Sequence, residues 1–134
     1  GLQPLCAAAG DHIGVVRTLT GSATVSRLGA EIPVSPGFKL LEGDIVKTGA
    51  DSAVGIFMRD DASLSLGPKT ELALDRFRFS PGAQEYSFVS RIIKGTICYL
   101  SGLIGKLSPE SVRFETPAAT LSIRGTCFGV KVHG

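Results

Sequence analysis

Apolar and polar residues alternate one by one along most of this chain. Val54, Ile56 and Met58 occupy every second position of one run, and Val112 and Phe114 do the same in another. Such alternation is typical of strands with one buried and one solvated face. The same pattern recurs in five further runs, at residues 22–26, 63–66, 71–75, 119–124 and 128–132. It predicts antiparallel or solenoidal sheet rather than a parallel α/β sheet.

Turn-forming residues separate these runs at intervals of about 8–12 residues, a spacing typical of all-β folds. Ser35-Pro36-Gly37, Gly67-Pro68 and Ser80-Pro81-Gly82 are clear examples, because proline and glycine supply the backbone angles that turns require. Only residues 102–107 are candidates for a helical turn. We therefore predict one all-β domain at residues 12–134, a twisted solenoid-like or sandwich-like stack of short strands with little or no helix.

The composition indicates a folded chain and argues against some classes of partner. Of the 134 residues, 43% are hydrophobic and 19% are charged, which excludes a disordered chain. The net charge of +2 is too small to indicate nucleic acid as a partner. No run approaches the roughly 20 apolar residues of a membrane span, so we expect a domain that is not membrane-spanning.

Residues 1–11 carry the information about location. Ala7-x-Ala9 supplies the small residues that a signal peptidase requires, with cleavage before Gly10. The segment is therefore either a signal-peptide remnant, which implies export, or a flexible alanine-rich terminus.

Two copies of one short pattern lie 30 residues apart, at 93–96 and 123–126. Each places a glycine and a threonine, Gly95-Thr96 and Gly125-Thr126, between strand-like residues. A glycine inside a strand pattern indicates a bulge, a bend or the close approach of another backbone. Repetition at a fixed period indicates stacked, similar β units.

Three parts of the sequence resemble the signature of the FecR domain family. Residues 41–49 resemble a G-D-x-I/V-x-T-G motif, and residues 60–68 resemble a D-G-S-x-I/L-x-L-x-P hairpin, with Asp61-Ala62 where Asp-Gly is commoner. Residues 94–96 and 116–128 resemble a closing T-P-x-A-x-x-x-x-R-G-T-x-F pattern. The likeness extends from Ile13 to Val132. Its structural motif positions are Gly43, Asp44, Thr48, Gly49, Gly95, Thr96, Arg124, Gly125 and Thr126.

The resemblance implies a bacterial envelope domain built as a twisted, solenoid-like stack of short strands. In the best-understood members of the family, the domain is the periplasmic part of an inner-membrane sigma regulator. There it follows an anti-sigma segment and a membrane helix, and it receives a signal from an outer-membrane transporter. Neither preceding segment is present in these 134 residues. The expectation is therefore a free-standing, exported FecR-like domain in the periplasm.

No constellation of catalytic or ligating residues is found in the sequence. The two histidines, His12 and His133, lie near the chain ends, where a catalytic base is poorly held, and we expect both at the surface. Asp60 and Asp61 are more typical of a tight turn than of a calcium loop. We predict no catalytic residue, no metal site and no cofactor, and we do not expect an enzyme.

The cysteines leave two alternatives. An exported protein favours a disulfide between Cys98 and Cys127. Aligning Gly95 with Gly125 places them on opposite faces of neighbouring strands, which argues against the bond unless a bulge at either glycine shifts the register.

Aromatic and basic residues supply the candidate surfaces. Phe77, Phe79, Tyr86 and Phe88 are expected in the core, with a groove for a partner strand as the alternative. Five basic residues are expected to be solvated charges, with a docking stripe as the alternative: Arg91, Lys94, Arg113, Arg124 and Lys131.

The function predicted from these features is protein–protein interaction in envelope signalling or assembly, through an exposed edge strand. The partner is expected to be an envelope protein, and the domain a monomer or weak oligomer. The alternative is a module that binds an envelope glycan such as peptidoglycan, for which Tyr86, Tyr99 and the phenylalanines are the candidate aromatic platforms.

Overall fold

A computed structural model describes residues 12–117, 120–122 and 127–132, with side chains over residues 12–117. It is 58% strand and 10% helix, which confirms the all-β prediction. The strands are β1 Gly14–Thr20, β2 Ala23–Arg27, β3 Ala30–Pro33, β4 Lys39–Leu40, β5 Ile45–Thr48, β6 Ala53–Met58, β7 Ser63–Leu66, β8 Glu71–Ser80, β9 Glu85–Leu100, β10 Val112–Glu115, β11 Thr120–Ser122 and β12 Cys127–Val132.

Helical structure is confined to three short segments of the described residues. The helix α1, Leu103–Leu107, lies where the sequence allowed a helical turn. Single 3-10 turns follow β8 at Pro81–Ala83 and precede β10 at Pro109–Ser111.

Nine strands form one strongly curled sheet, a half-barrel, in the order β3-β2-β5-β8-β9-β7-β6-β1-β4. Neighbours along this path run antiparallel. Three strands lie off the path: β12 pairs with β9 antiparallel, β10 pairs with β9 in parallel, and β11 pairs with β10.

Strand β9 connects the two walls of the half-barrel. Its residues up to Lys94 pair with β8, whereas its residues from Gly95 onward pair with β12 and, from Ile97, with β7. We call the part containing β2, β3, β5, β8, β10 and β11 the first wall, and the part containing β1, β4, β6, β7 and β12 the second wall. Gly95 has φ +100° at this transition and lies against the Thr70 backbone, so of the three alternatives the close approach of another backbone is supported.

The core lies between the walls and consists of the alternating residues that the pattern predicts. Val54, Ile56 and Met58 are buried on the second wall, and Val112 and Phe114 on the first. The alternating residues of the runs at 119–124 and 128–132 lie outside the described side chains.

Aromatic rings fill the centre of this core. Phe88 contacts Phe77, Tyr99 and Phe114 with ring centroids 5.6–5.8 Å apart. Phe79 and Tyr86 are half-buried at its margin, with centroids 6.2 Å apart. Core packing of the four aromatic residues at 77–88 is therefore confirmed, completely for Phe77 and Phe88 and partly for the outer pair.

The register between β9 and β12 corrects the expectation about the cysteines. Cys127 lies opposite Leu100, and Gly129 lies opposite Cys98. Because Leu100 and Cys98 are two positions apart on one strand, positions 98 and 127 fall on the same face. The predicted opposite faces are wrong, because the alignment treated the strands as equivalent stacked copies, whereas they are antiparallel neighbours.

Candidate functional site

The motif aspartate Asp44 closes the turn before β5 and forms a nearly buried ion pair. Its carboxylate, 1% exposed, accepts hydrogen bonds from Arg27 Nε at 2.9 Å and Arg27 Nη2 at 2.7 Å. The N–H of Leu41 also donates to it at 2.8 Å. The Arg27 guanidinium donates to the Lys39 carbonyl and lies 5.3 Å from the Phe38 ring centroid. The bond to Asp44 raises the pKa of Arg27. This pair ties β2 to the β4–β5 turn.

Two motif threonines, Thr48 and Thr96, are both hydrogen-bonded to a third threonine, Thr70, next to the point where β9 changes its partner strands. Thr48 Oγ1 donates to the Gly67 carbonyl at 2.6 Å and accepts from the Thr70 N–H at 2.8 Å. Thr70 Oγ1 in turn accepts from the Thr96 N–H at 3.0 Å. These bonds join β5, the β7–β8 turn and β9. The sequence analysis missed Thr70, which is fully buried and central to this network.

Two motif glycines, Gly95 and Gly49, allow other parts of the chain to approach their backbone closely. A Cβ on Gly95 would lie 2.4 Å from the Thr70 Cα, and one on Gly49 would lie 2.8 Å from the Ser22 hydroxyl. Gly43 has φ +94° in the turn before Asp44. The described motif residues therefore make structural contacts between neighbouring strands and turns. Asp44 joins β2 to the β4–β5 turn, and Thr48 and Thr96 join β5 to β9 through Thr70.

The remaining motif residues Arg124, Gly125 and Thr126 lie outside the described residues. Their role as structural positions stays a prediction.

Asp60 occupies a second buried acidic site, at the turn between β6 and β7. Its Oδ1 accepts from the Ala62 N–H at 3.2 Å, which confirms the turn predicted for Asp60-Asp61. Its Oδ2 accepts from the Ile104 N–H of α1 at 3.0 Å. Burial raises the pKa of Asp60, although these N–H donors act in the opposite direction. No basic side chain forms an ion pair with it among residues 12–117.

Tyr99 is fully buried near this carboxyl group. Burial and the charge of Asp60 raise the pKa of Tyr99 to about 12. Its ring packs against Phe88 and Phe114, so Tyr99 cannot serve as a sugar-binding platform, and that part of the glycan hypothesis is wrong. Tyr86 and Phe79 remain as half-buried rings near the surface.

The expected basic residues are mostly neutralised where the structure describes them. Arg91 Nε contacts Asp75 Oδ2 at 2.7 Å, and Lys94 Nζ lies 3.6 Å from Glu71 Oε2. The bond to Asp75 raises the pKa of Arg91. This arrangement supports solvated, paired charges over a continuous basic stripe. The side chains of Arg124 and Lys131 lie outside the described part of the chain.

A different pair of arginines lies on one line across the first wall. Arg76 on β8 and Arg113 on β10 are each in register with Val89 on β9, one from either side. We call Arg76, Val89 and Arg113 the arginine row. Both guanidinium-bearing side chains are exposed, and neither forms an ion pair with any described residue.

The arginine row lines an open groove of about 490 Å³. Tyr86, Ser87, Glu110 and Ser111 line the same groove, together with Asp75. The groove therefore combines two cations, an aromatic ring, two serine hydroxyls and two carboxylates, of which Asp75 is already paired with Arg91. Sequence reasoning placed Arg113 in a stripe and did not single out Arg76, because only the register brings them together.

A second cleft has a volume of about 450 Å³. Phe77, Phe79 and Ile13 line its apolar part, and Arg59 lines its rim. The rim also carries the ion pair between Arg78 and Glu42, whose carboxylate accepts the Phe77 N–H at 2.8 Å.

The edges of the curled sheet differ in how well they are protected. Strand β4 has two residues and β11 has three, and β3 ends in Pro33, which lacks an N–H. Strand β12 has six residues without proline, and among the described residues it pairs with β9 alone. It is the longest such edge that the structure describes.

Other chemistry finds little support in the geometry. Residues 12–117 hold no group of three or more His, Cys, Asp or Glu side chains suited to a metal ion. In the described part of the chain no helix has the length and hydrophobicity to cross a membrane. His12 is half-buried rather than at the surface as predicted, and its Nδ1 has no partner within the described residues. His133 lies outside them.

No protein-family model, curated protein or solved structure matches this chain. The resemblance to the FecR domain therefore remains a hypothesis from the motifs.

Proposed function

We propose that this chain is a non-catalytic interaction domain of the bacterial cell envelope, acting in the periplasm in signalling or assembly. In this proposal it binds an envelope protein by accepting a partner strand along β12. The compartment is supported by the FecR-like motifs and by Ala7-x-Ala9. The mode of binding is supported by one observation, the six-residue edge of β12 without proline.

The hydrogen-bonding pattern identifies the backbone groups on that edge. The Gly67 N–H donates to the Thr96 carbonyl at 2.9 Å, so Thr96 directs its backbone groups toward β7. Backbone groups alternate along a strand, so those of Ile97 and Tyr99 point toward β12. Their register partners are Val130 and Phe128. The N–H groups of Gly129 and Lys131 consequently point away from β9, where a partner strand would bind.

This assignment permits a specific test. Lys131→Pro removes one outward N–H donor and leaves the β9–β12 hydrogen bonds intact. The chain is titrated with the products of its neighbouring genes, and backbone amide shifts are followed by NMR. We expect shifts along β12 in the wild type and at least a tenfold loss of affinity in the proline variant, about 1.4 kcal/mol.

Lys131→Ala is the matched control, since it removes the charge but keeps the N–H. It should bind within about twofold of the wild type if main-chain bonds dominate. Equal binding by the proline variant, or shifts confined to side chains of a concave pocket, would refute the edge-strand mode.

A second candidate function, binding of an envelope glycan, is favoured by the groove that contains Tyr86. Sugar-binding sites combine a ring face with hydroxyl and carboxylate partners, and Ser87 and Glu110 line the same groove. A pull-down on purified cell-wall sacculi tests it: Tyr86→Ala should reduce retention, whereas Phe57→Ala, on the outer face of the second wall, should not.

A further inference from the structure

The two arginines of the row differ from the other basic side chains of the first wall, because they form no ion pair with any described residue. Arg78 on β8 and Arg91 on the neighbouring strand β9 are held by Glu42 and Asp75 at 2.8 and 2.7 Å. Arg76 and Arg113 are not so held among the described residues. The difference singles out two cations that are available to a ligand.

Their spacing suits one small anion. Each arginine is directly opposite Val89, so their Cα atoms lie two strand spacings apart, about 10 Å. Two long side chains that rise from the same face at this distance can converge above Val89. Guanidinium groups bind carboxylates and phosphates in planar, bidentate geometry.

The remaining groups in the groove discriminate between these anions. Glu110 and Asp75 line it as well, and they repel a ligand of dense negative charge such as a phosphate group. A single carboxylate carries less negative charge than a phosphate group, so these two side chains repel it less. Glu110, Ser87 and Ser111 are hydrogen-bonding partners for sugar hydroxyls, and Tyr86 offers a ring edge or face.

We propose that this groove binds a carboxylated saccharide, with the carboxylate held between Arg76 and Arg113 and the sugar ring beside Tyr86. The proposal rests on the second candidate function, glycan binding, and specifies its substrate class. It is independent of strand addition at β12, which lies on the other wall.

Calorimetric titration with trigalacturonic acid, and with its carboxyl-reduced neutral analogue galactotriose, tests the proposal. We expect the wild type to bind the acid at least tenfold more tightly than the neutral sugar. Arg76→Gln and Arg113→Gln should each weaken binding of the acid about tenfold, as for a lost charge-assisted hydrogen bond, without changing binding of the neutral sugar.

Arg17→Gln is the matched control. Arg17 is exposed on the second wall, 5.1 Å from the Phe57 ring centroid, and should leave both affinities unchanged. Far-ultraviolet circular dichroism and the melting temperature of each variant confirm that the fold is retained.

The outcomes separate the two proposals. Equal affinity for acid and neutral sugar, both reduced by Tyr86→Ala, overturns the arginine clamp but supports glycan binding. No binding of either sugar overturns the clamp and counts against the glycan function. Inorganic phosphate that competes as strongly as the acid overturns the choice of carboxylate.

Discussion

Two buried aspartates in turns, Asp44 and Asp60, have lost their contact with water, and different groups replace it. Asp44 is 1% exposed and Asp60 is 0% exposed. Asp44 faces the guanidinium of Arg27, whereas Asp60 receives hydrogen bonds from the backbone N–H groups of Ala62 and Ile104 and has no ion-pair partner within residues 12–117. Burial of a carboxylate is costly unless a countercharge or hydrogen bonds replace its lost water. The first turn is therefore stabilised by an ion pair and the second by backbone hydrogen bonds, and burial raises the pKa of Asp60.

The largest expected effect comes from removal of the countercharge of Asp44. Arg27→Ala leaves that carboxylate buried and unpaired, and should lower the free energy of unfolding by about 3 kcal/mol. Urea denaturation measures the change. Lys47→Ala is the control, because Lys47 and Glu31 form an exposed pair at 3.0 Å whose loss should leave the free energy of unfolding nearly unchanged. Equal losses in both variants would contradict the comparison.

A smaller effect is expected beside Asp60. A Cβ on Gly102 would lie 2.4 Å from both the Asp60 carbonyl oxygen and the Ala62 nitrogen, which are backbone atoms and cannot rotate away. Gly102→Ala should therefore destabilise the protein by about 2 kcal/mol, as in other overpacked sites. Gly82→Ala, with nothing within 4 Å of the added Cβ, should change thermal stability little. A stable Gly102→Ala variant would show that α1 is not held against this turn.

The pH dependence of stability distinguishes the two aspartates further. Because the folded-state pKa of Asp60 is raised, the folded state retains its proton to higher pH than the unfolded state. Its stabilising contribution is thus complete below the unfolded pKa of about 3.9, and is lost as pH rises through the folded pKa. Asp60→Asn should flatten this part of the stability–pH curve measured by urea denaturation. An unchanged slope would contradict protonation of Asp60 in the fold.

The smallest effect is expected at Asp61, beside the buried carboxyl group. Asp61 has φ +71°, a left-handed conformation that favours glycine. Asp61→Gly should raise the melting temperature slightly, corresponding to about 0.5 kcal/mol, because aspartate already tolerates this conformation. Asp61→Ala should lower it. A loss in the glycine variant would indicate that the Asp61 side chain contributes more than its backbone strain.

Much of the scaffold could be predicted from the chain alone. Alternation identified buried Val54, Ile56 and Met58, and the motif glycine Gly95 marked a close approach of two backbones. The candidate surfaces were harder to predict from the sequence. The arginine row joins residues 76, 89 and 113, which no local pattern relates, and the predicted platform Tyr99 is buried because β9 turns it into the core.

The sequence by itself determined the all-β class, the buried faces of regularly alternating strands such as β6 and β10, and turns such as the one at Asp60, because these depend on neighbouring residues and a period of two. Only the tertiary structure decided which strands are neighbours, which edge stays open and which charges meet. Those outcomes depend on register between distant segments, which places a guanidinium beside Asp44 and backbone N–H groups beside Asp60.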